Sequence, residues 1–238
     1  MASSARSRQR AGLCLGLRCD CWGAAIVGVL RLLLGREWTG RAGLKLSSRD
    51  IVLVVLAFAM VATGSKLLLP IVYKAAGLKA NAPNIEDQIG FLFQAFNEEV
   101  LFRALMIGLV LHYVRSPVLV SLGLALLFPV AHFVLYRYSN PMHLALSINA
   151  LTTLFFAGVA MNALYLTFRH IGFSWALHAG WNVVWLPATI YDAASHARLY
   201  EPQVFDRVLG SPILVAMVGA VAAFCFATML RYSIASEC

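Results

Sequence analysis

Charge is what this chain has least of: 13% of its 238 residues are Asp, Glu, Lys or Arg, against 61% that are hydrophobic. So little polar surface cannot coat a water-soluble globule, and the sequence reads as a membrane protein. Acid is scarcer than base, 11 residues against 19, and none precedes Asp20, whereas Arg6, Arg8, Arg10 and Arg18 do. A net charge of +8 could serve nucleic acid, but no basic run alternates with aromatics on a polar stretch. No nucleic-acid binding is expected, and anionic lipid is the simpler counter-charge. Cysteine is sparse as well. Cys14, Cys19 and Cys21 sit in the basic N-terminal segment, Cys225 in an apolar run and Cys238 at the last position, a spacing that makes neither a disulfide framework nor a tetrahedral zinc site. Internal repeats and low-complexity tracts are lacking too, so no repeat array is expected.

What the chain does have is six apolar runs: 51–73, 89–114, 117–136, 144–168, 174–191 and 211–232. Each is close to or above the roughly 20 residues that a membrane-crossing helix needs. The expected fold is therefore an all-α, polytopic transmembrane helical bundle of six spans. An earlier run, Trp22 to Leu34, is too short to cross and contains Arg31, so it is expected as an interfacial or half-inserted helix. The domain reading is a basic cytoplasmic N-terminal region, 1–50, followed by the bundle, 51–238. An acid-free start rich in Arg and Ser also resembles an organelle transit peptide, but topology alone accounts for it. With the N-terminal region inside, twelve Lys and Arg fall on the inner side and five on the outer, which places both termini in the cytoplasm. The membrane would be the cell inner membrane if the protein is bacterial. The longest outer segment, Asp192 to Gly210, is too short for a soluble domain, so function belongs in the bundle.

An ionisable group at the centre of a span costs about 2.5 to 3.5 kcal/mol, so those retained there carry information. The second run holds Glu98, Glu99 and Arg103. Glu99 and Arg103 are four apart, share a helix face and can satisfy each other as a structural ion pair. Glu98 points about 100° away and is left without its own cation. An unpaired carboxylate in a dry surround suits a general base. The third run brings His132, four residues after Phe128 and beside Pro129; a lone intramembrane His is more often a satisfied interhelical hydrogen bond. The fifth run adds His178 and Asn182 on one face, with Gly180 between them allowing close approach of another backbone. His112, His143, His170 and His196 fall at interfaces or in loops, where solvated structural roles are expected. Lys66 is expected to snorkel out of the first span.

The motifs Glu98-Glu99-x-x-x-Arg103, Phe128-x-x-x-His132 and His178-x-x-x-Asn182, each in an apolar run and in this order, resemble the CPBP family of intramembrane proteases. That family holds the type II CAAX prenyl endopeptidases and the bacteriocin-associated Abi proteins. The likeness covers about 88–186 and includes the turn Arg169 to Ser174 ahead of the last motif. It implies glutamate-dependent amide hydrolysis, with a membrane-anchored or hydrophobic peptide as substrate. Glu98 would activate water with help from His132. His178 and Asn182 would stabilise the oxyanion, and Arg103 would hold Glu99. No cofactor is expected; the alternative is zinc on Glu98, His132 and His178.

Depth sets a condition on this reading. With the run limits above, Glu98 lies about 14 Å and His132 about 6 Å from the outer edge, while His178 lies about 6 Å from the inner edge. Contact among them is expected from third and fifth helices longer than their apolar runs, since Arg137 and Tyr138 can belong to an interfacial turn; the alternative is tilt and a break near Gly172. Two competing functions remain: a non-catalytic scaffold or immunity protein on the same fold, and a carrier or proton pathway, which buried Glu and His also mark.

Overall fold

The computed structural model describes residue 28 and residues 43–81, 85–139, 145–185, 190–199 and 201–235. Apart from Gly28, the expected interfacial helix Trp22 to Leu34 lies outside them, as do Cys14, Cys19, Cys21, Cys238 and His143.

Helix α1 (Ser48–Ala75) begins three residues ahead of the apolar run because a cap, not hydropathy, sets its end. The Ser47 hydroxyl accepts from the Asp50 amide at 3.1 Å, and the Asp50 carboxylate accepts from the Ser47 amide at 3.0 Å. This reciprocal pair satisfies two of the amides that a helix start leaves orphaned. Helix α2 (Ile85–Glu99) runs without a break into a π-wound stretch, Val100–Ile107, and on into α3 (Gly108–Tyr113). Helix α4 (Pro117–Val134) starts on a Ser116 cap with Pro117 in the first turn, and a second π-wound stretch, Leu135–Ser139, extends it. Helix α5 (Ile148–Phe168) is capped by Ser147 and stops at Arg169, which adopts the left-handed conformation with φ 59°. Helix α6 (Gly172–Trp185) follows that turn, then a short helix α7 (Glu201–Leu209) and the last long helix α8 (Pro212–Ala235).

The expected all-α membrane bundle is what forms, with corrections. Among the described residues, four helices are long and apolar enough to cross a membrane: Ser48–Ala75, Pro117–Tyr138, Ile148–Phe168 and Pro212–Ser233. The expected second and fifth spans are not among them. The second carries the charged site residues, which lower its apolarity. The fifth, expected over 174–191, is described as a 14-residue helix, Gly172–Trp185. The end of that run is strand instead: β2 (Ile190–Asp192) pairs antiparallel with β1 (Leu78–Ala80), Leu78 opposite Asp192. This small ladder joins the ends of α1 and α6, and no apolar periodicity announces it.

Asp192 then turns the chain. Its carboxylate accepts from the Ser195 amide at 2.8 Å and from the Arg207 guanidinium at 2.7 Å, contacts that hold it well below the usual carboxylate range. The segment expected only as an outer loop thus has structure of its own, with α7 tied back to it through Arg207.

Helix α5 is central, packing against α4, α6 and α8, while α1 and α2 pack on α6. The expectation for Gly180 is met in the geometry: a Cβ there would lie 3.0 Å from Val61 and 3.1 Å from the Phe58 carbonyl oxygen of α1. Gly180→Val is expected to push α1 off α6 at about 1–3 kcal/mol, seen as a lower thermal midpoint in detergent. A midpoint equal to wild type would show that α1 yields freely. Gly43, at φ +66°, has its carbonyl bonded by the Ile171 amide at 3.0 Å, and a Cβ on it would meet the Arg169 carbonyl oxygen at 2.6 Å. It seats the chain ahead of α1 on the turn that starts α6. Lys66 is exposed on α1, as snorkelling requires.

Candidate active site

Glu98 and Glu99 sit at the end of α2, and Arg103 one turn further on, in the π-wound stretch. Such stretches add a residue to a turn and recur at functional sites. Glu99 and Arg103 are fully buried and paired at 3.1 Å, as their spacing predicted. Two charges in a dry interior need more than each other. Arg103 Nε donates to the Asn162 side-chain oxygen at 3.2 Å, and the Asn162 amide donates to the Ser121 carbonyl at 2.9 Å. The guanidinium also lies 5.1 Å from the Phe128 ring centre, within cation–π range. Asn162 was not among the expected site residues, though a lone amide midway along an apolar helix is the kind of signal that singled out the others.

From α6, His178 Nδ1 lies 2.9 Å from Glu99 Oε1. The carboxylate accepts from Arg103, so His178 supplies the proton of this bond. Its other nitrogen, Nε2, then faces Glu98 Oε2 at 3.8 Å, and Gln94 donates to Glu98 Oε1 at 3.2 Å. Glu98 is therefore not isolated, as its helix position alone implied: a second helix brings it an imidazole. The helix lengths resolve the depth condition in two ways. Helix α4 does extend past its apolar run through its π-wound end, which contains Arg137 and Tyr138. Helix α6 starts at Gly172, two residues ahead of its apolar run, which sets His178 six residues into the helix.

His132 Nδ1 donates to the Phe128 carbonyl at 2.9 Å, which leaves Nε2 as the free nitrogen of the neutral ring. Phe128 separates the two histidines, 4.6 Å from the His132 ring and 6.0 Å from the His178 ring. Glu98, His132, His178 and Asn182 all border one cavity of about 570 Å³, with Phe102, Phe128 and Trp181 among its largely apolar walls. That volume falls within the range of small-ligand sites. Asn182 lies one turn beyond His178 on α6. All six expected residues are thus gathered, four on the cavity and the Glu99–Arg103 pair behind them.

The zinc set fares differently. Among the described residues no three His, Cys, Asp or Glu side chains are placed to hold a metal ion. Both histidines commit Nδ1 elsewhere and keep Nε2, and the Phe128 ring contacts both.

An apolar bundle with a carboxylate, imidazole and guanidinium cluster beside a cavity defines a membrane protein with a polar site built into its helices. Residues 88–184, about two fifths of the chain, match the family model described as type II CAAX prenyl endopeptidase Rce1-like, which supports the resemblance to that membrane protease family. All three motifs that carried the resemblance lie inside the matched stretch. Comparisons with curated proteins and with solved structures returned no match.

Proposed function

We propose that this protein is an intramembrane endopeptidase that hydrolyses a peptide bond of a membrane-anchored or hydrophobic peptide substrate. The single observation that carries the reading is Glu98, half-buried at the cavity with His178 3.8 Å away and the Glu99–Arg103 pair fixing that histidine. Glu98 takes a proton from water, with His132 Nε2 as the second acceptor facing the same chamber. The hydroxide oxygen bonds to the scissile carbonyl carbon, and charge develops on the carbonyl oxygen. His178 and Asn182 donate to that oxyanion, an arrangement whose members are typically worth about 10²–10³ in kcat each. The carbon–nitrogen bond then breaks, and the proton held by Glu98 passes to the leaving amine.

With its Nδ1–H on Glu99, His178 serves the oxyanion through an Nε2–H, so this step uses the imidazolium form of the ring.

The chain crosses the membrane six times in this reading, with α2–α3 and α6 completing the set around the chamber. Both termini lie in the cytoplasm, and residues 1–50 form a basic cytoplasmic region. The lipid bilayer is its surround, and no nucleic acid is a partner. The domain match and the retention of every motif residue support an enzyme over an inert scaffold.

Cleavage of a membrane-anchored peptide library by the purified protein, and its loss in His178→Ala at equal protein level, tests the function. Activity retained in His178→Ala overturns the mechanism. Chelators are expected to leave the rate unchanged, because Glu98 and not a metal ion activates water. Loss of activity restored specifically by Zn²⁺ would overturn that assignment.

A further inference from the structure

Phe205 lies outside the stretch that matches the family, on the short helix α7, yet it borders the cavity. Its ring is parallel to the His132 imidazole, with 5.7 Å between centres and 8° between planes, and it meets Tyr136 at 4.9 Å. His132 and Tyr136 are one turn apart, so the Phe205 ring wedges between them. On its other side, His132 contacts the Phe128 ring at 4.6 Å and bonds the Phe128 carbonyl. Three contacts thus determine where the free Nε2 points. Rings in offset-stacked and tilted contact are worth about 0.5–1.5 kcal/mol each beyond their burial, enough to bias a rotamer decisively.

Helix α7 is also fixed in place. The Asp206 carboxylate accepts from the Ser147 amide at 2.6 Å. The Thr153 hydroxyl donates to the Leu209 carbonyl at 2.7 Å, and Arg207 pairs with Asp192 at 2.7 Å. Val208 and Leu209 are buried beneath it. These ties reach the β2 turn and α5, which also frames the cavity, so α7 presents the ring from a rigid base and not from a loose loop.

We propose that Phe205 is a positioning residue for His132, a lid ring that α7 seats over one face of the imidazole. It holds Nε2 toward Glu98 and keeps bulk water from that face. Its kinetic consequence rests on the hydrolase reading above, whereas the cover itself does not.

Two measurements on the full-length protein separate these. The first is the rate at which diethyl pyrocarbonate modifies His132, followed by peptide mass spectrometry. Phe205→Ala is expected to raise it severalfold and Phe205→Tyr to leave it near wild type; equal rates in wild type and Phe205→Ala overturn the proposal whether or not peptide is cleaved. The second is cleavage kinetics. Phe205→Leu is expected to lower kcat about tenfold with KM unchanged, as misaimed groups do, and Phe205→Tyr to restore it. In a His132→Ala background, Phe205→Leu should have no further effect; losses that multiply would show that the two residues act independently and overturn the positioning role. If wild type cleaves nothing, the hydrolase reading fails while the modification rates still decide the cover.

Discussion

Glu98→Gln is expected to reduce peptide cleavage by about 10²–10⁴-fold, the range that a positioned general base contributes. The substitution is nearly isosteric, and the side-chain oxygen of the glutamine can still accept the Gln94 amide that holds Glu98 at 3.2 Å. What it loses is the ability to take a proton from water and the charge opposite His178 Nε2. The thermal midpoint in detergent should stay close to that of wild type, because Glu98 lies on the cavity wall and no cation depends on it alone. The comparison needs equal protein in the membrane and a substrate that wild type cleaves. Cleavage within a factor of a few of wild type would remove Glu98 as the base and, with it, the reaction proposed for this chamber.

Arg103→Ala is expected to act on stability before it acts on rate. Glu99 is fully buried, and the Arg103 guanidinium lies 3.1 Å from its carboxylate. Removing one partner of a buried pair costs about 3–5 kcal/mol, since the remaining charge has no solvent to turn to. Against a typical total of about 5–15 kcal/mol, this is enough to lower the folded population severely. Loss of protein from membranes and an early thermal transition in detergent would report it. The neutral double variant, Glu99→Gln with Arg103→Met, should regain most of that stability, because no charge is left stranded. It should not regain cleavage, because His178 then lacks the carboxylate that fixes its Nδ1 proton. If Arg103→Ala melts like wild type, the pair is not the strut that its burial indicates.

The site was more legible in the sequence than the fold around it, for a physical reason. Glu98, Glu99, Arg103, His132, His178 and Asn182 stood out because each is costly in an apolar run, and four-residue spacing placed Glu99 with Arg103 and His178 with Asn182. That signal is local and survives without coordinates. Asn162 carries the same signal but has no partner four residues away, so only the folded α5 shows that it meets Arg103. Phe205 gave no signal of either kind. An aromatic in a polar segment is unremarkable until α7 is seen to form, although Val204, Phe205, Val208 and Leu209 do repeat with a helical period. Apolar length drew α6 too long, because the end of that run, Ile190 and Tyr191, is strand. It also missed the β1–β2 ladder, whose strands of three residues are too short for alternation to register.

The π-wound stretch Val100–Ile107 divides one continuous helix into two halves whose orientations can be set separately. Upstream, α2 aims Glu98 and Glu99; downstream, Ile107 is fully buried and α3 completes the helix. A π turn holds one residue more than the α turn it replaces, and each residue of an α-helix turns the chain by about 100°. The inserted residue therefore works as an angular offset, letting the packing half keep its seat while the reactive half faces the chamber. Changes in chain length within 104–107 would act as a rotation of one half against the other, so this stretch tolerates substitution of apolar side chains far better than insertion or deletion.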